Sequence, residues 1–457
     1  MKKQPAYVIL AAIAALSLAA ACTGAGDGDA GETVDFAPVA FDCDPNIGIT
    51  LPDGFCGVVF ANNLGRARHL AVNDNGDVYV ATQAVRRRRG DADAPPPRPP
   101  MRALRDTDGD GKADVEEDFG DQAGGTGMDI YNDFLYFSTP STVYRYPLVG
   151  ELLPSPDGEI IVEGFPEQRQ HASKPFTFDG AGNIYVNVGA PSNACQQEAR
   201  APGSAGMDPC PQRERQAGIY RFDAETPGQT QEGDGALYAS GIRNAMALDW
   251  NADTGQLYAL QHGRDSFASL WPDYFNDEQS AELPSEELMA VTEGADFGWP
   301  YCYWDHFQDK RLLAPEYGGD GREVGRCGGF GEPLVAFPGH WAPNDLVFYE
   351  GDQFPPRYRG GAFVAFHGSW NRAPLPQEGY KVAFVPMQDG LPVGDYEVFA
   401  DGFAGPAPIQ LGNDGIARPT GLAVGPDGTL YISDGQRGKI WRIAYNPDFE
   451  ASEDASR

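Results

Sequence analysis

Six copies of one strand–turn–strand pattern constrain this chain more than any other feature. RHLAVNDNGDVYVAT (68–82), TGMDIYNDFLYFST (126–139), KPFTFDGAGNIYVNVG (174–189), NAMALDWNADTGQLYALQHG (244–263) and RPTGLAVGPDGTLYISDGQRGKIWRI (418–443) are five of them. Each joins an apolar strand to an aromatic-bearing strand through a turn of Asp, Asn or Gly, the chemistry of a hairpin. NDLVFYEGDQFPPRYRGGAFVAFHGSWNR (344–372) is a sixth, looser copy. Six hairpins separated by long connections predict an all-β, six-bladed β-propeller, whose radial repetition protects the sheet edges. A β-sandwich leaves the recurring x-Gly-x-Tyr-Val/Ile element unexplained. The 57 glycines and 38 prolines suit short strands and turns better than helices.

The repeats also set what lies outside the folded body. The chain opens Met-Lys-Lys, runs through apolar residues 6–21 and reaches Cys22. A basic head, a short apolar segment and small residues before a cysteine predict a lipoprotein-type signal over 1–22, with plain cleavage as the alternative. Residues 23–37, rich in Gly, Asp and Ala, are expected to form a flexible tether. The propeller is expected over 38–446 and a disordered tail over 447–457. The protein is then exported and lipid-anchored at the periplasmic or outer face of a bacterial envelope membrane. A net charge of −32 argues against nucleic acid and anionic lipid as partners, so the membrane is met only through the anchor. Cys43/Cys56, Cys195/Cys210 and Cys302/Cys327 form three sequence-local pairs, read as disulfides in an exported protein. No CxxCH occurs, so no c-type haem is attached.

Two insertions interrupt the blades. VRRRRGDADAPPPRPPMR (85–102) reads as a solvated polyproline excursion, and LWPDYFNDEQSAELPSEEL (270–288) as a wall beside a substrate entrance.

DTDGDGKADVEE (106–117) has the spacing of an EF-hand loop. Asp106, Asp108 and Asp110 stand at positions one, three and five, and Gly111 turns the chain at six. Lys112 offers its carbonyl at seven, Asp114 stands at nine and Glu117 at twelve. Hard oxygen ligands at this density favour calcium. Without flanking amphipathic helices, the loop is expected to act structurally, between the first two blades; an unoccupied acidic turn is the alternative.

The hairpin edges carry the chemistry. His171 precedes the third hairpin, Arg243-Asn244 and His262-Gly263 flank the fourth, and Arg418 opens the last. If these edges share one face, they converge on the axis. In order, GIRNAMAL (241–248), ALQHGRD (259–265), EELMAVTEGADFGWPYCYWD (286–305), HGSWNRAPLPQEGYKV (367–382) and RPTGLAVGPDGTLYISD (418–434) follow His171. Together they resemble the soluble quinoprotein glucose/sorbosone dehydrogenases, six-bladed propellers that use pyrroloquinoline quinone (PQQ). The likeness runs over residues 50–445 and is nearest to the sorbosone dehydrogenase-like branch.

That resemblance implies PQQ- and calcium-dependent oxidation of an aldose or sugar aldehyde, with electrons passed to a cytochrome or quinone acceptor. It makes His171 the general base, suited by imidazole's pKa, and Arg243 the group that stabilises charge on the quinone. It places Asn244, His262, Arg372, Lys381 and Arg418 around the cofactor, the cations answering its carboxylates. It implies one calcium on the carbonyls of Gly263 and Arg264, and a second, structural one on Glu287, the Phe297 carbonyl and Asp305. His262, preceded by Gln261, stands where the family has a glutamine, and Ala172 follows the base where bulkier segments are common. Trp299, Trp304 and Trp370 are expected to pack, and His306, His340 and His367 to be structural, with His367 a possible pocket neighbour. Two other readings of the propeller stand beside this one: a lactonase-like hydrolase with a central calcium held by carboxylates and asparagines, and a non-catalytic surface binder of glycan or protein.

Overall fold

The computed structural model describes residues 41–83, 99–406 and 408–449. The expected signal, the tether, residues 85–98 of the arginine–proline excursion and the tail from 450 lie outside them.

Six antiparallel-built sheets form the blades. Their innermost strands are Arg66–Val72, Met128–Tyr131, Phe176–Phe178, Ala245–Asn251, Pro343–Phe348 and Pro419–Val424. Each opens one of the six repeats, and each touches the next around a closed ring, the last returning to the first. The second strand of every repeat pairs antiparallel with the first, as its turn residues require. The ring is closed by the strand Phe55–Ala61, which pairs with Ile440–Tyr445 as the outermost strand of blade six. The first strand of the fold thus completes the last blade and ties the two ends of the ring together.

Large aromatics pack between blades. Tyr349, Phe354, Tyr358, Phe363, Phe399 and Trp441 belong to one buried cluster joining blades five and six. The three expected disulfides are present: Cys43–Cys56, Cys195–Cys210 and Cys302–Cys327. Such bonds persist in oxidising compartments, which fits export. Among the described residues no helix is long and apolar enough to cross a membrane.

The 106–117 loop joins Met101–Arg105 to Val115–Phe119, the third and fourth strands of blade one. It therefore does not link the first two blades, as expected from the sequence. It leans on blade six instead: Ala113 N–H donates to the Phe60 carbonyl at 2.8 Å, and Arg442 Nη1 lies 3.4 Å from Asp106.

The insertion after blade four's second strand carries two short helices, Phe267–Leu270 and Asp277–Glu282. Asn276 caps the second through a capping box with Gln279. This helix supplies polar partners to the channel mouth.

Candidate active site

Five of the six blades send residues at or beside the start of the inner strand, or the end of the second strand, to the same mouth of the channel. A cavity of about 380 Å³ there is lined by His171, Arg243, Asn244, His262, Gly263 and Arg418, all predicted from the sequence. Arg68, Asp265, Glu286, His340, His367 and Trp370 also line it. Four of the chain's six histidines meet at this place.

The strands are shaped for it. Registers slip between Ala67 and Leu70, Ala245 and Ala247, Pro343 and Asp345, and Pro419 and Leu422. A bulge at the end of a strand re-aims a side chain. Arg68, Met246 and Asn344 occupy three of these slips and all face the cavity.

His171 takes a left-handed backbone, φ 51°, just ahead of its strand. Its Nδ1 lies 2.6 Å from the Ala190 carbonyl. A carbonyl only accepts, so Nδ1 carries the proton and Nε2 keeps its lone pair. Burial, then the neighbouring Arg243 charge, pushes its pKa down to about 3, so the ring is neutral. Gly189 makes room: a Cβ there would stand 2.5 Å from Asn244 Oδ1 and 2.6 Å from His171 Cβ. The Lys174 ammonium is fully buried and donates to the Ala172 carbonyl, directly after His171.

Arg243 is buried and held from behind. Its Nε donates to the Asn193 carbonyl, and Nη2 donates to Asn193 Oδ1 and Asp265 Oδ2, each at 3.0 Å. Asp265 also accepts from Arg200 at 2.6 Å and from Asn371. The paired guanidiniums hold its carboxyl well below the usual range, against the opposing effect of burial. Asn244 Oδ1 accepts from Asn187 Nδ2, leaving its own amide N–H groups for the cavity. His262 Nε2 donates to the Pro343 carbonyl at 2.7 Å, and burial lowers its pKa to about 4. Gln261, next to it, faces the other way, donating to Glu287 and accepting from Arg243 N–H.

Glu286, not Glu287, reaches the cavity. It accepts N–H groups from Gly263 and Ala342, and burial pushes its pKa up to about 8. His340 belongs to the lining rather than to the frame alone; its Nε2 donates to the Ser280 carbonyl in the helical insertion. Trp370 is 61% exposed at the rim, so it is not a packing residue as expected, whereas Trp299 and Trp304 are buried.

Two expected cofactor cations are elsewhere. Arg372 is buried against the insertion, donating to the Ala281 and Pro376 carbonyls and pairing with Glu282 at 2.7 Å. Lys381 lies over the Trp341 ring, 4.5 Å from its centre. Sequence spacing does not reveal that both side chains turn away from the channel. Arg418 is in place, donating to the His367 and Gly368 carbonyls.

Of the implied calcium ligands, Gly263 lines the cavity, while Arg264 has its guanidinium buried on Glu316. Glu287 pairs with Arg311 at 2.5 Å, so its charge is already balanced. Asp305 accepts from Phe307 N, Gln308 N and Gln308 Nε2, capping its own turn, and the Phe297 backbone follows blade three's edge. In the 106–117 loop, carboxylate oxygens of Asp106, Asp108 and Asp114 come within 4.8 Å of one another. Asp110 instead accepts the Lys112 N–H, and Glu117 sits in a strand opposite Ala103.

The other mouth is larger, about 1020 Å³, and of opposite character. Asp129, Asp249 and Asp345 line it, no arginine or lysine does, and burial raises all three carboxyls. Among the described residues only the 106–117 loop gathers three carboxylates to ligand distance, so this mouth lacks the converging set a lactonase-like calcium centre requires.

Among curated proteins, a pyrroloquinoline quinone-dependent pyranose dehydrogenase of Coprinopsis cinerea is 25% identical over 248 residues, 46% of this chain and 31% of that protein. An uncharacterized protein of Borreliella burgdorferi is 25% identical over 211 residues, 46% of this chain and 48% of that one. The chain thus spans half or less of the curated relatives it matches. Among solved structures, the holo form of the Coprinopsis cinerea pyranose dehydrogenase PQQ domain superposes with a TM-score of 0.68 at 18% identity, covering 88% of this chain and 98% of that one. The calcium structure of Trichoderma reesei Carbohydrate-Active Enzymes Family AA12 gives 0.68 at 17% identity, covering 90% and 99%. At these identities the likeness shows the fold. The family model described as TrAA12-like matches residues 49–446, nearly the whole propeller and both mouths, and the chain belongs to that family.

Proposed function

We propose that this propeller is a PQQ- and calcium-dependent dehydrogenase that oxidises an aldose or related sugar aldehyde. One observation carries the reading: a neutral histidine with a free Nε2 shares a cavity with three arginines, in a chain of net charge −32. A tricarboxylate such as PQQ is drawn to that mouth and repelled by the other. The fit rests on the donor set: the Nε of Arg68 and the Nε2 of His367 are buried without partners, and Arg418 bonds only carbonyls. Bound PQQ supplies a quinone that accepts hydride from the sugar carbon.

The chain's own residues do the rest. His171 Nε2 takes the hydroxyl proton, and Ala190 holds the ring through Nδ1 as charge develops. Arg243, anchored by Asp265 and Asn193, stabilises negative charge growing on the acceptor side. Asn244 donates from the same edge. Gly263 and the adjoining Arg264 offer backbone oxygens to a calcium in the cavity. Electrons then pass to an external cytochrome or quinone. The 106–117 loop is a second calcium site of structural role, and Cys22 the point of lipid anchorage at the envelope.

The test separates binding from chemistry. His171→Ala is expected to bind PQQ as the wild type does and to lose about a hundredfold or more in dye reduction. Wild-type kcat/KM should fall only well below pH 6.5, because the depressed pKa keeps His171 unprotonated above that. A variant that retains activity means the base is another group.

A further inference from the structure

Seven arginines are buried among the described residues. Six have a carboxylate: Arg102 with Asp118, Arg145 with Glu159, Arg243 with Asp265, Arg264 with Glu316, Arg311 with Glu287 and Arg372 with Glu282. Arg68 is the exception. It is 6% exposed, its Nε is buried without a partner, and it forms no ion pair among the described residues. The chain holds 66 acidic residues, so carboxylates are not scarce.

An unpaired buried guanidinium is costly, and natural interiors avoid it. Here the blade-one bulge between Ala67 and Leu70 turns it into the cavity. Arg418, another cation of the same cavity, also lacks a carboxylate on its guanidinium and spends its donors on backbone carbonyls. Burial, then the charges of Arg66 and Arg418, lowers the Arg68 pKa, and burial, with Arg66, lowers that of Arg418. Asp345 acts on Arg68 and Asp434 on Arg418 only beyond ion-pair distance, whereas every other buried guanidinium has a carboxylate in contact.

We propose that Arg68 is an anion subsite that receives a carboxylate of the cavity's ligand, in the place the sequence assigns to Arg372 and Lys381. A planar fork of N–H donors matches a carboxylate in a bidentate manner. The carboxylate comes from the quinone cofactor or from an acidic sugar; the first source rests on the function proposed above.

The calcium-loaded protein is titrated with PQQ and with its trimethyl ester, followed by quinone absorbance. Wild type is expected to prefer the acid by about tenfold or more. Arg68→Met should remove most of that preference, and Arg68→Lys should keep part of it. If the sugar supplies the carboxylate, Arg68→Met leaves PQQ binding intact and raises KM for D-glucuronate about tenfold but not for D-glucose. Wild type that binds no PQQ contradicts the proposed function alone; calorimetric binding of D-glucuronate to wild type and Arg68→Met then decides the subsite. Arg68→Met should also melt above wild type without ligand, since it removes an unpaired buried charge. The subsite is overturned if Arg68→Met discriminates acid from ester, and glucuronate from glucose, as wild type does. It is equally overturned if unliganded Arg68→Met melts well below wild type, which would mean the guanidinium has a partner.

Discussion

One hydrogen bond decides what His171 can do. Because Nδ1 donates to the Ala190 carbonyl, Nε2 is left as the acceptor, and burial keeps the ring uncharged. The corner depends on Gly189, whose missing side chain lets His171 and Asn244 approach. Gly189→Ala places a methyl where neither neighbour leaves space, so one must move. A displacement of the base by a fraction of an ångström to an ångström is expected to cost up to about a hundredfold in turnover while PQQ still binds. Turnover unchanged in Gly189→Ala would show that this close approach is immaterial. His171, Arg243, Asn244, His262 and Arg418 were legible because they flank hairpins whose edges the repeat places on one face. Arg68 was not: in RARHLAV two arginines alternate, and strand period alone does not say which one a bulge turns inward. A signal existed in the register. Arg68 stands two residues before Leu70, as Met246 stands before Leu248 and Asn344 before Leu346, and all three line the cavity.

At the scale of elements, the repeats located every blade, because turn chemistry and strand alternation are local properties. What they could not locate was side chains governed by insertions. Arg372 follows a family motif, yet the helix Asp277–Glu282 captures its guanidinium. The same helix holds His340 in the lining through Ser280, a contact with no trace in local sequence. The 106–117 loop was legible as a ligand pattern, but its partner blade was not, since contact with Arg442 crosses more than three hundred residues. Three carboxylates drawn together there repel one another until a cation joins them. Calcium is therefore expected to raise the melting temperature by several degrees, and Asp108→Ala to abolish the part due to this loop. Wild type and Asp108→Ala responding identically would mean that the loop binds no calcium.

The whole molecule is a closed ring with two unlike ends. Phe55–Ala61 locks the first residues of the fold into the last blade, and Cys43–Cys56 ties the approach to that strand. A rigid ring holds residues far apart in sequence at fixed distances, which a site assembled from many blades requires. The two mouths differ in their cations: no arginine or lysine lines one, while three arginines line the other beside Asp265 and Glu286. Under the function proposed, that asymmetry on a strongly acidic protein favours the arginine-lined mouth for an anionic cofactor. The measurement that tests this most directly is a titration of the metal-free, cofactor-free protein with PQQ in the presence of calcium. The account predicts saturable binding at one site, weakened by salt, followed by sugar-dependent dye reduction. Absence of PQQ binding at saturating calcium would contradict it.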